Sequence, residues 1–102
     1  MLDRQTVDKP EIKDTVQTTI YTWINRETKL TCAVDGVPRP NITFTRAGSV
    51  LHSTPSEDGA SQLRIKPEGA ADFGDYTCTA KNYLGSVQKI IKIKQLGKKR
   101  YE

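Results

Sequence analysis

Four stretches of the chain alternate between apolar and polar positions with a period of two, the spacing of a strand that buries one face and exposes the other. In Lys29-Leu30-Thr31-Cys32-Ala33-Val34, the residues Leu30, Cys32 and Val34 share the face that should be core. Asn41-Ile42-Thr43-Phe44-Thr45 turns Ile42 and Phe44 inward, and Ser61-Gln62-Leu63-Arg64-Ile65-Lys66 does the same with Leu63 and Ile65. Tyr76, Cys78 and Ala80 share one face of a further strand. Before these, Pro10-Glu11-Ile12 opens the ordered region, and the run from Thr18 to Ile24 is β-branched and aromatic throughout, as an edge strand would be. Residues 86–94 make the last strand, and no stretch carries a helical period of useful length.

The segments between the strands carry turn chemistry. Asp35-Gly36-Val37-Pro38-Arg39-Pro40 is read as unable to continue a ladder, because its prolines lack the N–H and its glycine punctuates the chain. Residues 47–60 are polar and hold Gly48, Pro55, Ser56, Asp58 and Gly59, which predicts one or two short, poorly patterned edge strands. Pro67 to Gly74 predicts a short helical turn crossing between sheets, and Asn82-Tyr83-Leu84-Gly85 a hairpin turn with Gly85 at positive φ.

Cys32, Phe44, Tyr76 and Cys78 all fall on inward faces, and the two cysteines are 46 residues apart. Cysteines on an early and a late strand with an aromatic residue between them fit an all-β sandwich of two antiparallel sheets. Tyr76, two positions before Cys78, stands where its hydroxyl would return to backbone a few residues upstream.

A length of 102 residues makes one domain, and a hydrophobic fraction of 35% leaves a modest core that a covalent staple would help. Residues 1–9 are expected to be disordered or linker, residues 10–95 the domain, and residues 96–102 a basic tail or linker. No window is long and apolar enough to cross a bilayer, and the first residues hold no apolar signal region. The two cysteines lack a C-x-x-C spacing and His52 is the single histidine, which argues against a zinc site. A disulfide between Cys32 and Cys78 is the preferred reading, with a reduced buried pair as the alternative; redox compartment decides between them.

The net charge is +4, and Lys89, Lys92, Lys94, Lys98, Lys99 and Arg100 follow one another without an acid. A polyanion such as heparan sulphate is one candidate partner for this run; the preferred reading is a solvated edge strand whose lysines discourage aggregation. Nucleic acid is not expected, because no aromatic residues interleave the lysines.

Catalysis finds little footing. His52 lies in a stretch read as a polar loop with no nucleophile motif, and the adjacent acids Glu57 and Asp58 would face opposite ways on a strand. Asp72 is read as a side-chain acceptor for backbone N–H groups in the turn before Tyr76. No enzyme activity, cofactor or metal is expected. Asn41-Ile42-Thr43 is an acceptor pattern for N-glycosylation, with Asn41 and Thr43 pointing outward if Ile42 and Phe44 point inward.

The chain resembles the immunoglobulin superfamily, and within it the I-set, from about Pro10 to Lys94. The matching residues are Leu30-Thr31-Cys32, Gly36-Val37-Pro38-Arg39-Pro40, Leu63-Arg64-Ile65, Asp72-Phe73-Gly74-Asp75-Tyr76-Thr77-Cys78, and Ala80-Lys81-Asn82 with Gly85. The modules it is most similar to are those of neural cell adhesion and fasciclin-type cell-surface proteins. The resemblance implies an Ig-like Greek-key sandwich with Leu63, Phe44, Tyr76 and Asp72 in structural roles. It departs from the family at Phe44, where tryptophan is usual; the smaller ring keeps an aromatic face on the bridge and leaves volume for neighbours to fill.

The function implied is adhesion or protein recognition by a non-catalytic, extracellular module of a membrane-anchored glycoprotein. Its partners would be a homophilic or heterophilic protein and neighbouring Ig or fibronectin-like domains. Arg39, Tyr83 and Leu84, with Val50 and Leu51, are the candidate binding residues. The alternatives are a spacer module of an intracellular muscle scaffold, which predicts free thiols, and a ligand-binding receptor ectodomain.

Overall fold

A computed structural model of the chain describes residues 6–55 and 59–96. Of the linker expected over residues 1–9, residues 1–5 lie outside these, as do the acids Glu57 and Asp58 and the tail residues Lys98, Lys99 and Arg100, while Asp8 and Lys9 stand in the first strand. Eight strands are described: β1 (Asp8–Ile12), β2 (Thr19–Thr22), β3 (Thr28–Val37), β4 (Asn41–Arg46), β5 (Ser49–Pro55), β6 (Ala60–Ile65), β7 (Gly74–Asn82) and β8 (Gly85–Gln95), with one 3₁₀ turn at Ala70–Asp72. They form two sheets, β1-β3-β6 and β2-β8-β7-β4-β5. Every pairing is antiparallel except that of β2 with β8, which is parallel.

The alternating positions make the core. Leu30, Cys32 and Val34 from β3 meet Ile42 and Phe44 from β4, Tyr76, Cys78 and Ala80 from β7, and Ile91 and Ile93 from β8, all buried. Each such large apolar side chain taken from water contributes about 1.5–3 kcal/mol before chain entropy is set against it. The Cys32–Cys78 disulfide ties the two sheets together, with Cα atoms 6.5 Å apart. Phe44 lies directly opposite Cys78 in the β4–β7 register.

The N-terminal segment changes sheets. After β1 pairs with β3, a turn closed by Val16 N–H to Lys13 O at 3.1 Å buries Val16, and β2 then joins β8. The described residues begin and end at opposite ends of the sandwich. Asp8 pairs with Val37 near the β7–β8 turn, whereas β8 runs away from that turn to Gln95, beside Thr22.

Several local expectations need correction. β3 does not stop before Asp35: it continues to Val37 against β1, with a register shift between Asp8 and Glu11. Gly36 makes this feasible, since a Cβ there would stand 2.8 Å from Pro40 Cγ and 3.2 Å from Pro10 Cα, and its φ is +156°. The edge strand expected over Thr18–Ile24 is shorter, leaving Trp23 and Ile24 in the turn that follows. The polar segment after residue 47 holds the seven-residue strand β5, so His52 is a strand residue opposite Phe44 rather than part of a loop. Gly85 is not at positive φ; the two positive φ values that turn a hairpin belong to Ala47 (51°) and Gly48 (84°), between β4 and β5.

Candidate functional site

The end of the sandwich where β1 starts is assembled around Asn82. Its Nδ2 donates to Asp8 O at 2.9 Å and to Pro38 O at 3.0 Å, while its Oδ1 accepts the Leu84 N–H at 2.9 Å. One side chain therefore fastens three segments that are distant in sequence: the start of β1, the proline corner after β3 and the β7–β8 turn. Two carbonyls and one N–H fix the orientation of the amide, because only Nδ2 can donate and only Oδ1 can accept.

On this frame Tyr83 is 74% exposed, Arg39 is exposed and Leu84 is half-buried. Asn41 is exposed at the start of β4, opposite Lys81. The structure thus gathers Arg39, Tyr83, Leu84 and Asn41 at one end. An aromatic ring, a guanidinium and exposed turn backbone are the surface chemistry that protein partners engage.

Val50 and Leu51 do not join them. They lie on β5 close to the Ala47–Gly48 turn, toward the opposite end, and both are exposed. The remaining singled-out residues are internal or local. Phe44 is fully buried, Leu63 pairs with Leu30, and the Tyr76 hydroxyl donates to Asp72 O at 2.7 Å. The Asp72 carboxylate accepts the Glu68 N–H at 2.7 Å.

Among the described residues the basic run is interrupted. Lys92 pairs with Asp75 of β7 at 3.2 Å, and Lys89 is half-buried opposite Cys78. Lys13–Asp35 and Arg64–Glu27, each at 3.7 Å, are likewise exposed pairs of the kind worth less than about 1 kcal/mol. Among the described residues no group of three or more His, Cys, Asp or Glu could hold a metal ion.

Sequence reasoning missed two surface features. The outer face of the five-stranded sheet carries a row of Val50, Thr45, Thr77 and Ile90 across β5, β4, β7 and β8. The adjacent pair Ile90-Ile91 is the signal that could have shown it, since one of two neighbours on a strand must face outward. At the far end, Trp23 is 45% exposed with the Arg26 guanidinium 4.4 Å from its ring centroid.

The family model of the immunoglobulin domain matches residues 9–82, and the chain belongs to this family. Neural cell adhesion molecule 1 of Bos taurus is 36% identical over 76 residues, covering 65% of this chain and 9% of that protein. The chain thus spans less than a tenth of the length of that relative. Among solved structures, the titin Ig tandem domains A164-A165 superpose with a TM-score of 0.77 at 28% identity, covering 91% of this chain and 50% of theirs. Sidekick-1 immunoglobulin domains 1-5 give a TM-score of 0.70 at 30% identity, covering 88% of this chain and 20% of theirs.

Proposed function

We propose that the chain is a non-catalytic recognition module of a multidomain cell-surface adhesion protein. The observation that carries this reading is the Cys32–Cys78 bridge across the two sheets, in a chain of which 76 residues align at 36% identity with a neural cell adhesion molecule. A disulfide of this kind persists in oxidising, extracellular surroundings and is rare in the cytosol. The partner is a protein, homophilic or heterophilic, and its contact is the end of the sandwich bearing Arg39 and Tyr83. The two ends of the fold lie at opposite ends of the sandwich, which supports a place in a string of modules. Heparan sulphate is the lesser candidate, since Asp75 offsets Lys92 and Lys89 is half-buried.

Thiol titration of the denatured, unreduced protein from its native source tests the reading. No free thiol is expected. Two free thiols would move the chain to the second reading, a spacer in an intracellular muscle scaffold, which the likeness to the titin tandem domains favours. The binding surface is tested separately, by measuring partner affinity of Arg39→Ala and Tyr83→Ala. Both side chains are exposed, so stability should hold while affinity falls about tenfold or more at a central aromatic or arginine contact.

A further inference from the structure

The chain has three asparagines, Asn25, Asn41 and Asn82, and their settings differ. Asn82 uses both ends of its amide inside the fold. Asn25 sits at a φ of 74° in the turn after β2 and is followed by Arg26 and Glu27, with no hydroxyl two positions on. Asn41 is followed by Ile42 and Thr43, the acceptor pattern with a middle residue other than proline.

We propose that Asn41 carries an N-linked oligosaccharide on the outer face of the five-stranded sheet. The proposal rests on the extracellular reading above. Ile42 and Phe44 are 0% exposed, so the alternation of β4 directs Asn41 and Thr43 to the opposite, outer face. Asn41 is exposed, its register partners are Pro55 on one side and exposed Lys81 on the other, and its amide makes no hydrogen bond to any described residue. The buried Pro40 holds the backbone just before it, so the chain is anchored while the amide is free. The folded domain can bear a bulky group here without breaking a contact, which is not so at Asn82.

The chemistry needs a lipid-linked diphospho-oligosaccharide as donor. A bond forms between Asn41 Nδ2 and the anomeric carbon of the first sugar, and the bond from that carbon to the diphosphate oxygen breaks. The lipid diphosphate leaves with the bonding electrons, and the amide proton passes to a base of the transferase. The product shields Thr43, Thr79 and Lys81, which surround Asn41 on the sheet, and excludes a partner from that part of the face. Asn41 stands at the same end as Arg39 and Tyr83, so the oligosaccharide borders the contact proposed there and leaves the other sheet open.

The test is peptide mapping of the protein from its native source, before and after treatment with a peptide N-glycosidase, with thiols titrated on the same sample. The expected result is a bridged protein whose peptide spanning residue 41 is recovered only after release, with aspartate in place of Asn41. A bridged protein with unmodified Asn41 overturns the proposal and leaves the adhesion reading standing. Free thiols with unmodified Asn41 overturn both. In secreting animal cells, Asn41→Gln and Thr43→Ala should each abolish the enzyme-sensitive mass shift and Thr43→Ser should keep it. A secreted parent chain without that shift also overturns the proposal.

Discussion

The guanidinium of Arg46 lies 4.5 Å from the centroid of the Tyr76 ring, so that a side chain from β4 covers the tyrosine whose hydroxyl anchors the turn before β7. Arg46 also donates to Asp72 O at 2.8 Å, to Phe73 O at 2.9 Å and to Ala71 O. Asp72 O therefore accepts from both Arg46 and Tyr76, one for each lone pair. The pair closes the 3₁₀ turn over the end of the core, using carbonyls that its short helix leaves unsatisfied.

Removing the guanidinium by Arg46→Ala should cost about 2–3 kcal/mol in urea unfolding, from charged hydrogen bonds and the ring contact together. Arg46→Lys should recover less than half of that, because an ammonium cannot reach three carbonyls with a planar fork. Tyr76→Phe should cost about 1 kcal/mol, and the double variant should show coupling of roughly 0.5–1 kcal/mol. A lysine variant as stable as the parent would mean that charge alone, and not the fork, holds the turn.

Phe44 is 0% exposed and pairs with fully buried Cys78 on one side and half-buried His52 on the other. Introducing the tryptophan usual in the family should therefore overpack the core. Phe44→Trp is expected to cost about 1–3 kcal/mol, against about 3–5 kcal/mol for Phe44→Ala. Denaturant unfolding measures both. A tryptophan variant at least as stable as the parent would show that the smaller ring leaves room beside the bridge.

The core face was legible in sequence because Leu30, Val34 and Ile42 stand on strands with one wet and one dry side, where period two is enforced by burial. β5 was legible only as an edge strand without bounds, since it is exposed around Val50 and Leu51 and no periodic signal is imposed on it. The stretch Asp35–Val37 misled for another reason. Its glycine and the following proline have the composition of a turn, yet a register shift and the approach of Pro10 let the ladder continue. The candidate surface was legible only as separate residues. What unites Arg39 and Tyr83 is Asn82, whose bonds span 44 and 74 positions of sequence, and no local pattern encodes such a link.

The β4–β5 hairpin holds a residue against its backbone preference. Arg46 and Ser49 are paired, leaving Ala47 and Gly48 as a two-residue loop with both φ values positive. Such a turn matches the strand twist but favours asparagine followed by glycine, and alanine in the left-handed region is strained by its Cβ. Ala47→Asn should stabilise by about 0.5–1 kcal/mol and raise Tm by several degrees. Gly48→Ala should do the reverse although nothing lies within 4 Å of the added Cβ, because its φ is +84°. Calorimetry on both variants separates backbone strain from crowding.

Asn82 gives the sharpest local test, because its two ends can be removed separately. In Asn82→Ala the Leu84 N–H, Asp8 O and Pro38 O all lose their partner, and stability should fall by about 1–2 kcal/mol. In Asn82→Asp an oxygen still faces the Leu84 N–H, but the second carboxylate oxygen replaces the donor and confronts two carbonyls. Amide exchange should accordingly show Leu84 protected in the aspartate variant and unprotected in the alanine variant, with β1 loosened in both. The aspartate variant should be the less stable at β1, since repulsion replaces a mere absence. Loosening of β1 and the proline corner unties the segment bearing Arg39 from the turn bearing Tyr83, so partner affinity should drop in both variants although both of those side chains are retained. Full protection of β1 in the aspartate variant would show that the Nδ2 bonds do not hold this end together.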